Sequence, residues 1–178
     1  MNDQLLEDSV WMLSRARGVG LVLRVLIVVA PLLAAATTCA AGTVHIAFVI
    51  IIGVAALVCM LAPDSHAGLL VIGLIALQWL TTVDNTSSPW LVATAASVTV
   101  FHAALAAAAS IPAGAAWSIA MCRRWVRRTL ALIAACAGSW GALVVIDGIG
   151  PGNSAVLVTA ALIVLAAAGL WATRTPST

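Results

Sequence analysis

Side chains able to do acid–base, metal or thiol chemistry are few in this 178-residue chain: three His, four Cys and six carboxylates, with eight Arg and neither Lys nor Tyr. Their spacing excludes most of what their types allow. His45, His66 and His102 fall at the outer side, the inner side and the middle of apolar runs, so no two share the level that bis-His haem ligation needs. Cys39, Cys59, Cys122 and Cys136 contain no Cys-x-x-Cys pair, and with only Cys39 near an oxidising face neither a disulfide nor a quinone-linked thiol oxidoreductase is supported. A phosphate-cradling Gly loop, a nucleophile elbow and clustered carboxylates are all missing from the sequence. The expectation is a protein that is not an enzyme and takes no cofactor or metal.

What remains is polar rather than catalytic. His102 is the one ionisable residue deep in an apolar run that cannot easily reach an interface, and with Gln78 it makes the candidate intramembrane polar site. A hydrogen-bonded structural role competes there with a proton-relay or ligand role. Gln78, beside Trp79, reads as an interhelical hydrogen-bonding residue next to an interfacial anchor. The second candidate is Arg123, Arg124, Arg127 and Arg128, which gather on one side of a helix whose neighbouring face carries Trp117, Met121 and Trp125. That pattern predicts a basic amphipathic helix at the interface, contacting anionic lipid headgroups or docking an acidic cytoplasmic partner. A short helix against a membrane is a poor nucleic-acid reader, so none is expected.

The elements that position these residues follow from composition. Hydrophobic residues make up 63% and charged residues 8%, against about 25% charged in a soluble domain. Six apolar runs, at 20–41, 44–62, 67–83, 90–110, 129–146 and 155–172, approach the roughly 20 residues a membrane helix requires. Pro63-Asp64-Ser65, the segment from Asp84 to Pro89, and the Gly-rich loop from Asp147 to Ser154 punctuate them. The first run follows Arg15 and Arg17 but also Glu7 and Asp8, and it is too long for a signal peptide core, so it reads as an uncleaved helix. The expectation is an all-α polytopic transmembrane bundle of about six spans.

Orientation has an independent check in the positive-inside rule. With the N-terminus inside and six crossings, Arg15, Arg17, Arg24, the four-Arg cluster and Arg174 all fall on the cytoplasmic side. Both termini are then cytoplasmic, in a multi-pass protein of the plasma (inner) membrane. The chain divides into an N-terminal cytoplasmic or interfacial segment at 1–18, a transmembrane domain at 19–172 with a basic link at 111–128, and a cytoplasmic tail at 173–178. Small-residue stripes at Ala34, Thr38 and Gly42, at Ala95, Thr99, Ala103 and Ala107, and at Ala134, Gly138 and Ala142 predict close helix contacts. Such contacts serve the bundle itself, a homo-oligomer or a partner's helices equally.

The stretch Ala62 to Leu70, followed by Trp79, Asp84, Ser88-Pro89-Trp90, Phe101-His102 and the Arg-rich Met121 to Arg128, resembles small uncharacterised actinobacterial integral membrane proteins. The resemblance covers about residues 60 to 128. It implies a genomic neighbourhood with a MoxR-type ATPase and a von Willebrand-like membrane partner, and assigns no role to any residue. The functional expectation is a non-enzymatic membrane subunit or scaffold for a membrane-associated complex, the alternative being a small-solute transporter or channel component.

Overall fold

The computed structural model describes residues 18–63, 66–85, 88–110 and 118–149, with side chains through residue 145. Five helices follow one another: α1 (Val19–Ala41), α2 (Ile46–Leu61), α3 (Ala67–Thr82), α4 (Trp90–Ser110) and α5 (Ile119–Ile149). The first five apolar runs each yield a helix, and there is no strand among the described residues. The N-terminal segment at 1–17, the start of the basic link including Trp117, the sixth run and the tail lie outside the described residues.

Two expectations are revised. Among the described residues three helices are long and apolar enough to cross a membrane, α1, α4 and the Ile119–Val145 stretch of α5, which supports a membrane-spanning helical bundle but not the count of six. With 16 residues each, α2 and α3 rise only about 24 Å, against a hydrocarbon core of about 30 Å. The shortening of α2 has a local cause. The Thr43 N–H donates to the Thr82 carbonyl at 3.2 Å, tying the α1–α2 turn to the end of α3 and leaving His45 extended as the N-cap of α2. Gly42 lies so close to that carbonyl that any Cβ would overlap it.

The second correction concerns the basic segment. It is not a separate interfacial helix but the opening turns of α5, one uninterrupted helix of 31 residues. Ser118 starts it as an N-cap, its Oγ accepting the Met121 N–H at 3.2 Å. From Ile119 to Ala137 neither Gly nor Pro intervenes, so nothing stops helix propagation from the Arg cluster into the apolar run. The same helix continues through Asp147, where a loop was expected.

The packing is centred on α1, which meets α2, α3 and α4, whereas α5 packs chiefly on α4. The interior holds Leu23, Ile27, Ile52, Val71, Ile75 and Phe101 among small residues such as Ala34, Ala35, Ala56 and Ala104. Large apolar side chains point outward instead, among them Leu21, Val25, Leu33, Ile50, Leu69 and Leu80. A water-facing surface of that kind would aggregate; against lipid tails it costs nothing, while small interior residues let the helix backbones approach. Hydroxyls obey the same constraint. Thr38, Thr82, Ser97, Thr99 and Thr129 each donate to the carbonyl one turn back in their own helix, so no polar hydrogen there faces lipid unpaired.

Helix directions follow from single contacts. Thr37 Oγ1 on α1 meets Thr94 Oγ1 on α4 at 2.8 Å, joining the end of one helix to the start of the other. Trp125 Nε1 near the start of α5 donates to the Ala103 carbonyl in the second half of α4 at 3.1 Å. Both pairs are therefore antiparallel, and Arg24 shares one end of the bundle with Arg123, Arg124, Arg127 and Arg128. The Gly42 and Thr82 contact marks the opposite end.

Candidate functional site: the basic end and the α4–α5 groove

The four arginines sit on one helix but divide into two pairs. Arg124 and Arg128, four residues apart, line a groove of about 600 Å³ between α4 and α5. Ala103, Ala106 and Ala107 of α4 form its opposite wall, and Trp125 lies along it. The groove exists because three of the α4 positions facing α5 carry only a methyl group. Trp125 holds it open at one level, packing against the bundle core while its ring N–H bonds to Ala103. All four are exposed, but Arg123 and Arg127, about 100° around the helix from the first pair, do not line the groove.

The charge at this end has no nearby counterweight among the described residues. Asp84 stands beyond the far end of α3. Asp147 is further along α5 itself, about 29 Å from Arg128 at about 1.5 Å per residue. Side chains on a helix lean toward its N-terminus, so the guanidinium groups reach toward the basic end of the bundle rather than into its middle.

Gln78 and His102, expected to form one intramembrane polar site, are not brought together. Gln78 is fully buried between α3 and α1, where its Nε2 donates to Cys39 Sγ at 3.5 Å. Its Oε1 is also buried and has no partner among the described residues. His102 projects from α4 on an exposed face, away from the interior that holds Gln78. Among the described residues no three His, Cys, Asp or Glu side chains gather within reach of one metal ion.

The small-residue stripes have separate fates. Ala34 and Thr38 are fully buried and Gly42 makes the close approach to Thr82, so the α1 stripe is used inside the bundle. Ala103 and Ala107 of the α4 stripe face the groove. On α5, Ala134 and Gly138 are exposed, and a Cβ at Gly138 would meet nothing within 4 Å. Sequence reasoning missed the Trp125–Ala103 bond, the Gly68 approach to the Leu105 side chain and the split of the Arg cluster. The last had a legible signal, since the four positions are two interleaved i, i+4 pairs. Against known proteins, the chain matches no family model, no curated protein and no solved structure.

Proposed function

We propose that this chain is a non-enzymatic subunit of the plasma (inner) membrane that anchors a partner through α5. The observation that carries this reading is the make-up of that helix. One rigid element joins an exposed basic pair, Arg123 and Arg127, to a membrane-crossing stretch whose Ala134 and Gly138 are uncovered. Only Thr129 is buried among the described side chains of α5. A helix so lightly held by the other described helices offers one surface to an acidic cytoplasmic protein and another to a further membrane helix. The cytoplasmic placement of both ends and the crossing by all six apolar runs belong to this proposal. So does a cytoplasmic ATPase of the type implied by the sequence resemblance.

Carboxylates on a partner would use the planar fork of Arg, which Lys cannot reproduce, whereas insertion and topology depend on charge alone. Replacing Arg123 and Arg127 by Lys should therefore leave insertion and abundance normal and abolish co-purification of the cytoplasmic partner. Undiminished co-purification would reduce the pair to a topological signal.

A solute pathway is the second reading, and the orphaned Gln78 Oε1 is what favours it, because a buried acceptor without a protein partner is one that a water or ion can complete. In that case a Gln78→Leu protein would lose transport at unchanged abundance.

A further inference from the structure

We propose that the groove between α4 and α5 binds one molecule of an anionic phospholipid, with its phosphate on Arg124 and Arg128 and one acyl chain against Ala103 and Ala106. The geometry is that of an amphiphile. Two guanidinium groups one helical turn apart stand about 5–6 Å from each other at the Cβ atoms, a spacing that lets both reach one phosphate. Each offers the paired N–H donors that match phosphate oxygens. The facing wall is methyl groups, and the space between is about 600 Å³, within the range of ligand-holding clefts.

Charge selects the occupant. Two like charges on adjacent turns repel, and an anion held between Arg124 and Arg128 relieves that repulsion. The apolar wall selects further. It belongs to α4, one of the membrane-crossing helices, so it lies at bilayer depth, where a free phosphate or an acidic peptide would lose its hydration and a lipid tail would not. The guanidinium groups lean toward the basic end, which is where headgroups lie. Ser110 and Ser118 stand at that end of the groove.

The same lipid would explain how α5 stays attached. Among the described residues α5 is held by the Trp125 bond and its packing on α4, with little else buried, and a lipid wedged between the two helices would add to that contact.

The test is native mass spectrometry of the full chain in mild detergent, titrated with phosphatidylglycerol. The wild type should retain one molecule. Arg124→Gln with Arg128→Gln should weaken retention at least tenfold, whereas Arg123→Gln with Arg127→Gln, the same change of net charge, should weaken it less than threefold. Ala106→Leu keeps every charge and fills the groove, and it should match the first pair. Phosphatidylcholine should leave no adduct, and excess glycerol phosphate should not compete. Equal losses from the two Arg pairs, full retention by Ala106→Leu, or displacement by glycerol phosphate would each overturn the proposal.

Discussion

Gln78 shows how much of one residue's role a sequence can reveal. A lone amide in an apolar run, one residue before Trp79, announces an interhelical hydrogen bond, and it does reach α1. The sequence could not show that its partner is a weakly accepting thiol, or that the other amide atom is left buried and unpaired. Both depend on which residue of another helix lies opposite. An unpaired buried polar atom costs about 1–3 kcal/mol. Gln78→Leu should therefore be neutral or stabilising by about 1 kcal/mol in thermal unfolding of the detergent-solubilised protein, while Gln78→Ala should lose about 2 kcal/mol through the cavity it leaves. A loss of more than about 2 kcal/mol in the Leu variant would show that Oε1 has a partner worth more than the leucine packing that replaces it. His102 carried the other polar expectation; its position in the middle of α4 was legible, but its outward direction depends on how α4 is rotated against α1.

At the level of the helices, positions were legible and lengths were not. Hydropathy marked 44–62 as one run because Val44, His45 and Ala62 interrupt nothing in composition, yet α2 begins only at Ile46. The tether between Thr43 and Thr82 removes those first residues, and a contact across 39 positions leaves no mark in a local window. The same tether makes Gly42 a steric requirement rather than a conformational one, since its φ of −148° is open to any residue. Gly42→Ala should destabilise the bundle by about 1–3 kcal/mol, read as a lowered unfolding midpoint, because the added methyl must displace the Thr82 carbonyl. Gly138→Ala, made where a Cβ meets open space, serves as the control and should be silent or slightly stabilising. The basic segment was legible as a helix but not as part of a span. Amphipathicity describes the face of a helix, and whether it lies on the membrane or enters it depends on the residues that follow.

For the molecule as a unit, the orientation rests on five described arginines sharing one end of the bundle while Asp84 and the Gly42 turn occupy the other. In a variant without native Cys, a cysteine at Asn85 should be labelled by an impermeant reagent in intact cells, and one at Arg124 only after permeabilisation. The reverse pattern would invert the molecule. Whether α5 anchors another protein is decided by the mass of the complex that the full chain forms when extracted from its own membrane in mild detergent. The expected mass is that of this chain together with a second polypeptide in fixed ratio, and the second polypeptide should be lost in Gly138→Leu, where the new side chain enters space that the described residues leave open. A mass equal to one chain, or to a whole number of copies of it, unchanged by Gly138→Leu, would contradict the anchoring role.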